Sequence, residues 1–466
     1  MNTLKADTPR DTQKRNIILF VTTIGSFLTP FMGSSLNVAL PAIGNEFNIN
    51  ALLLSWVPTS YLLAAAMCLV PIGRIADIIG RQKVFFYGVI IFGIFSFLCS
   101  MARNFLFFIV CRVFQGIGGA MIFGTAVAIL TGIFPIQQRG RVLGINVAGV
   151  YLGLSLGPIF GGILTQNLGW RSIFYLNAFL GFLMFFLIIL FLKLEKEKVT
   201  LKNFDNIGTL FYSPMLLLLM YGFSLLPQIL GFVLLLIGII FLFIFIRYEM
   251  NAVQPLLNVG LFKANPIFLF SNLAALINYS ATSAVSFLLS LYLQYIKGYQ
   301  PQQAGIILIA QPLTMTLLSP VAGRLSDRIQ PQIIASAGMG LTGLGLFFLS
   351  FINSSVSVDS IIIYLLILGL GFALFSSPNT NAVMSSVEKA NYGIASSTLA
   401  TMRLLGQMSS MGIVMLIFSL VLGRIKITPE GYPLFINALK IAFYIFTGLC
   451  IFGVYASLKR GKIKRR

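Results

Sequence analysis

Gly73-Arg74-Ile75-Ala76-Asp77-Ile78-Ile79-Gly80-Arg81 interrupts two long apolar runs, and its first five positions return 250 residues later as Gly323-Arg324-Leu325-Ser326-Asp327. Gly73 and Gly80 permit close backbone approach. Asp77 is a lone anion among Arg74, Arg81 and Lys83, placed to pair with one of them or with a helix N-terminus. A single copy would read as a solvated basic loop. Its return after the second apolar run of the second half reads instead as a latch, with Gly73, Asp77, Gly80, Arg81, Gly323 and Asp327 as gating residues. A period this long is no solenoid; it predicts two related six-helix bundles. Membrane carriers are commonly built from such repeats, with the substrate site near the midplane between them.

The apolar runs set the fold class. The 466 residues are 58% hydrophobic and only 9% charged, where soluble domains hold about 25% charged residues. A membrane span needs about 20 apolar residues. Such runs lie at 17–42, 52–72, 84–101, 105–132, 142–165, 172–192, 207–226, 228–246, 266–292, 303–322, 332–352, 359–379, 395–422 and 436–458. The expected fold is all-α and polytopic, with fourteen transmembrane helices. A tail (1–16) precedes an N-terminal six-helix bundle (17–192). A linker (193–265) carries two extra helices separated only by a turn at Pro227, and a C-terminal six-helix bundle (266–458) ends in a basic tail (459–466). The first run is too long for a signal-peptide core and reads as a retained span.

A net charge of +20 would hint at nucleic acid in a soluble protein. Here position matters more than the sum. Basic groups gather at Arg74, Arg81 and Lys83, at Arg139 and Arg141, at Lys193 to Lys202, at Arg324 and Arg328, and in the two tails. Alternate loops hold few. This positive-inside pattern puts both termini in the cytoplasm of a multi-pass cell-membrane protein and speaks against a nucleic-acid partner. The four cysteines lie inside apolar runs without paired spacing, and histidine is absent, so neither a disulfide framework nor a His-based triad or metal site is expected. No nucleotide loop or nucleophile–base pair points to an enzyme or a cofactor. The expected partners are a small molecule and the bilayer, with the monomer sufficient to form a pathway.

In span 5, Gly149, Gly153 and Gly157 recur every fourth residue, followed by Pro158, Gly161 and Gly162. Glycine at that spacing makes a smooth packing face, and a membrane helix tolerates the proline kink where neighbours satisfy the freed carbonyl. Gly153, Gly157, Pro158 and Gly161 therefore join the gating set, against the plainer reading of a packing seam. Span 4 carries Arg112 and Gln115 ahead of Gly116, Gly118 and Gly119. An intramembrane arginine is costly and should face a cavity or a partner; snorkelling to headgroups about two turns away competes.

These residues carry a resemblance. The Gly73–Arg81 loop, Arg112 with Gln115-Gly116, and the Gly149–Gly162 stretch resemble signatures of the major facilitator superfamily. Asn37-Val38-Ala39-Leu40-Pro41, Trp56 with Tyr61, Gly169-Trp170-Arg171 and the Arg403–Gln407 segment look like its fourteen-helix drug:proton antiporter branch. The resemblance implies export of small amphipathic molecules by alternating access, driven by the proton gradient. The polar residues left to line a pathway include Ser34, Asn37, Tyr61, Gln115, Asn146, Asn272, Asn379 and Gln407, with Arg112 and Arg403, and each could equally be glue between helices. One departure stands out: the branch's usual acidic residue in span 1 is here Met32, and every Asp and Glu falls in a tail, loop or span end. A cavity holding Arg112 and Arg403 but no carboxylate suits a neutral or anionic metabolite or lipid, exported without proton coupling. Coupling through Asp77, Asp205 or Asp359 is the other expectation. A non-transporting sensor or scaffold on the same fold is an alternative of a different class.

Overall fold

The computed structural model describes residues 9–191, 205–252, 255–256, 259–388, 392–423 and 425–461. Among these described residues, fourteen helices are long and apolar enough to cross a membrane: α1 (Arg15–Phe47), α2 (Ala51–Ile79), α3 (Arg81–Ser100), α4 (Phe105–Ile133), α5 (Gln138–Leu168), α6 (Arg171–Phe191), α7 (Asn206–Leu225), α8 (Ile229–Glu249), α9 (Pro266–Ile296), α10 (Pro301–Ser326), α11 (Pro331–Leu349), α12 (Val358–Ser385), α13 (Ile394–Leu422) and α14 (Pro429–Lys459). Both described ends of the chain lie on one face, the terminal face. The α1–α2 and α5–α6 turns mark the far face.

Local chemistry explains the breaks. Asn50 and Asn104 cap α2 and α4, each Oδ1 accepting a backbone N–H at 2.8 Å and so satisfying one of the donors a helix start leaves free. Gly80 alone separates α2 from α3 at φ 105°, a backbone angle that favours glycine. The extra pair divides at 226–228, as the sequence indicates, whereas α1 extends through Pro41 to Phe47, beyond the apolar run, because the turns around Pro41 are packed on both sides.

Packing follows the sequence repeat. In the first half α1 packs on α5, α4 and α6, α2 on α4, and α3 on α4 and α6. In the second half α9 packs on α13, α12 and α14, α10 on α12, and α11 on α12 and α14. The halves meet along α2–α13 and α5–α10, which exchange under that pseudo-symmetry, and along α1–α9. The extra hairpin breaks the symmetry. α7 lies over the α2–α13 seam, with Tyr212 donating to the Ala66 carbonyl (3.1 Å), Trp56 against Tyr221, and Met408 and Met415 in the same cluster. α8 packs on α7 and exposes Phe243, Leu230 and Leu236, as a helix apolar all round does in lipid.

Close helix approach rests on glycine. A Cβ on Gly116 would overlap the Tyr61 carbonyl, and one on Gly119 would overlap the Tyr61 hydroxyl. Gly119→Ala should therefore destabilise the chain by about 1–3 kcal/mol, the usual range for overpacking. Tyr61→Phe should restore part of that loss by removing the clashing oxygen. Thermal melts of the two single variants and the double variant in detergent check the coupling; strictly additive losses would refute it.

Candidate functional site

The halves are joined towards the far face. Ser290 Oγ donates to the Asn37 carbonyl (2.6 Å), Gln294 Nε2 to the Val38 carbonyl (2.9 Å), Lys426 Nζ to Asn48 Oδ1 (2.5 Å) and the Gln302 amide to Gln166 Oε1 (3.2 Å). At mid-height Ser155 and Thr316 share a hydrogen bond of 3.0 Å. The glycine stripe of α5 divides its duties. Gly149, Gly153, Gly157 and Gly161 press on Thr23, Phe27, Ser34 and Ser35 of α1, inside the first half. Pro158 and Gly162 face α10 instead. A Cβ on Gly162 would stand 2.6 Å from the Pro301 carbonyl, and one on Gly305 would overlap the carbonyl of Pro158. Where α5 meets α10 near the far face, the seam is thus backbone against backbone.

The signature loop on the terminal face is arranged differently. Asp77 Oδ1 accepts from Arg81 Nε and Nη2, both at 2.9 Å, with the two side chains 52% and 46% exposed. Arg81 also reaches the Ala128 carbonyl on α4 at 3.5 Å, so the pair binds α2, α3 and α4 of one half and does not cross to the other. Arg74 donates to the Pro255 carbonyl in the linker. Gly73 faces open space, and a Cβ on Gly323 would stand 3.1 Å from Ser377 Oγ. The side chain of Asp327 lies outside the described residues. One position earlier, Ser326 accepts from Asn381 of α12 at 3.1 Å.

The expected pathway residues separate into two groups. Arg112 is 1% exposed; it neither snorkels nor faces the space between the halves. Its Nε donates to the Val57 carbonyl (3.2 Å), its Nη1 to Gln115 Oε1 (2.5 Å), and Gln115 Nε2 passes the chain on to Ser96 (2.7 Å). The guanidinium lies 4.7 Å from the centroid of the Tyr61 ring. Arg112, Gln115 and Tyr61 therefore form a network inside the first bundle, which corrects the expectation that two arginines share the cavity. Met32 is also enclosed, at 0% exposure, in a buried apolar cluster that draws on both halves. Ser34 bonds the Pro30 and Gly153 carbonyls, and Asn37 takes part through its carbonyl.

Arg403 and Gln407 remain part-exposed on α13. Arg403 Nη2 donates to Thr380 Oγ1 (2.6 Å) on α12, and its guanidinium lies 5.8 Å from the Tyr279 ring centroid. Beside it, Met315, Phe372 and Ala373 form a buried cluster against which Tyr151, Leu154, Tyr279 and Leu318 pack. This cluster draws on α5, α9, α10 and α12, hence on both halves. Nothing in the sequence marks it: among 43 Phe and 16 Tyr, helical spacing does not separate a ring at the seam from a lipid-facing one. Asn146, Asn272 and Asn379, other polar candidates, bond neighbouring carbonyls or Ser26 and act as glue between or along helices. The carboxylates of Glu46, Asp77, Asp205, Glu249, Asp359 and Glu430 lie at or near helix ends; none of these is at mid-height.

The family model described as Major Facilitator Superfamily matches residues 22–411 and 270–465. The riboflavin transporter RibZ of Clostridioides difficile is 34% identical over 390 residues, covering 83% of this chain and 84% of that protein. The multidrug transporter protein MdtP of Bacillus subtilis is 30% identical over 415 residues, covering 86% and 75%. Two solved structures share the fold. A bacterial homolog of the human lysosomal transporter Spinster aligns with a TM-score of 0.66 at 17% identity over 98% of each chain. A peptide transporter, POT, aligns with a TM-score of 0.69 at 15% identity over 96% of each.

Proposed function

The chain belongs to the major facilitator superfamily, and from that premise we propose that it is a secondary exporter of small amphipathic molecules that works by alternating access across a cell membrane. The observation that carries this reading is the seam. Two pseudo-symmetric halves meet along exchangeable helix pairs and are held together towards the far face, while the Asp77–Arg81 pair stays within one half. Rocking about the mid-height contacts of Ser155 with Thr316 and of the Met315–Phe372 cluster would exchange which face is closed. On the positive-inside rule the terminal face would lie in the cytoplasm, and the described contacts hold the opposite face closed. Asp77, Arg81, Gly323 and Asp327 would then close the terminal face in the other half of the cycle.

Proton antiport is the energy source that the resemblance to the drug:proton antiporter branch implies. The placement of the described carboxylates and the burial of Met32 favour a second reading, export without proton coupling. A transported proton needs a group that titrates as access alternates. The decisive experiment follows a pH-sensitive dye inside proteoliposomes while cationic, neutral and anionic aromatic compounds are added. Proton movement tied to compound flux supports antiport, and flux without it supports the second reading. Failure of every compound to move would refute export itself. In the same assay Asp77→Asn should slow flux by up to about fivefold, the effect of losing a half-exposed ion pair worth up to about 1 kcal/mol in one state. Unchanged flux would remove Asp77 from the gate.

A further inference from the structure

We propose that the mid-height seam beside the Met315–Phe372 cluster binds planar aromatic anions, held between Tyr151 and Tyr279 with the Arg403 guanidinium as their counter-charge. The proposal rests on the transport reading above and names the substrate class for it.

Three observations converge. First, Tyr151 comes from α5 and Tyr279 from α9, one from each half, and both pack on the Met315–Phe372 cluster. A ligand held there touches both halves at once. Second, the Tyr279 ring is fixed in place. It meets Phe372 edge-on, with centroids 5.3 Å apart and planes at 85°, and α13 closes on it where a Cβ on Gly406 would stand 2.7 Å from the Tyr279 Cβ. Rigid aromatic walls favour flat ring systems, which stack with little loss of freedom. Third, Arg403 has donors to spare. A guanidinium carries five N–H groups, and Thr380 takes one of them.

Charge decides the class. Among the described residues no carboxylate pairs with Arg403. Arg403 already presents its cation to Tyr279, so a cationic ligand would bring a second positive charge to the same ring in a medium that screens poorly. An anion instead completes a charge-assisted pair and relieves the desolvation of the arginine. The enclosed Arg112 is out of a ligand's reach, which leaves Arg403 as the recognising group.

The test uses three probes with one ring and different charges: 2-naphthoate, 2-naphthylmethanol and 2-naphthylmethylammonium. Each is titrated calorimetrically into the full-length protein in nanodiscs, with empty nanodiscs as baseline. Naphthoate should bind at least about tenfold tighter than the ammonium compound, the ratio for one desolvated charge contact. Arg403→Gln should erase that ratio while leaving the alcohol's affinity within about twofold. Arg403→Lys should keep the ratio with weaker binding. Tyr279→Leu and, separately, Tyr151→Leu should weaken all three probes, and thermal melts establish that each variant is folded. Tightest binding by the ammonium probe, a charge ratio unmoved by Arg403→Gln, or affinities unmoved by both tyrosine changes would each overturn the proposal. Binding and flux separate the two readings. Naphthoate binding without flux of any compound would refute export but keep this site, whereas flux of cations alone would keep export and refute this site.

Discussion

Gly305→Leu should abolish export while leaving the protein folded and inserted. A Cβ at position 305 would overlap the Pro158 carbonyl, and the neighbouring contact of Gly162 with the Pro301 carbonyl is nearly as tight. Both contacts join opposite halves near the far face, so on the proposed rocking cycle they exist only while that face is closed. Overpacking costs about 1–3 kcal/mol. Confined to one of two states, it shifts their populations by roughly 5- to 150-fold. The stripe against α1 differs, because α1 and α5 belong to the same half and stay in contact throughout. Gly153→Leu should therefore damage stability, whereas Gly305→Leu should mainly shift conformation. Spin labels on the α1–α2 and α9–α10 turns would report the far-face separation. Gly340→Leu is the control, since a side chain there meets open space. A far face that stays closed in Gly305→Leu, with transport intact, would show that the seam does not part in the cycle.

The prediction turns on a residue that sequence reading passed over, and the reason is physical. Fourteen helices, the division near 225–228 and the internal repeat were legible because each is a one-dimensional property: apolar length, a turn signal, a recurring pentapeptide. The α5 stripe was legible as a face for close helix approach, although its spacing alone did not separate packing within one half from the gating role expected of Gly153, Gly157 and Gly161. Its partner was not legible. Gly305 lies in Gln302-Gln303-Ala304-Gly305, which shows no periodicity, and only the meeting of α5 with α10 gives it meaning. The Met315–Phe372 cluster was hidden for a related reason. In a lipid-facing protein both the outer surface and the seam between the halves accept Phe, Tyr and Leu, so hydrophobic pattern loses the contrast that marks an interior in water. Arg112 illustrates the opposite error. Its rarity marked it correctly as special, but rarity does not tell a group that lines a cavity from one walled in beneath Tyr61.

That burial makes Arg112 the sharpest test of what a costly residue is for. An enclosed guanidinium loses several kcal/mol of hydration. Against this stand hydrogen bonds to the Val57 carbonyl and Gln115 Oε1 and the contact with the Tyr61 ring. Hydrogen bonds to a charged group contribute about 1.5–3 kcal/mol each, and a desolvated cation–π contact about 2 kcal/mol. The opposing contributions nearly cancel, so replacing both polar partners with apolar groups of similar volume should cost the fold little. Arg112→Met with Gln115→Met should melt within a few degrees of the parent protein. Arg112→Ala alone should melt well below it, because it leaves a void under Tyr61 and strands Gln115. If the network serves only as glue, the double variant should also export normally. We expect export to fall by at least about tenfold, since a buried charge that adds little net stability is ordinarily retained for function. A double variant that is stable and fully active would assign Arg112 to packing alone.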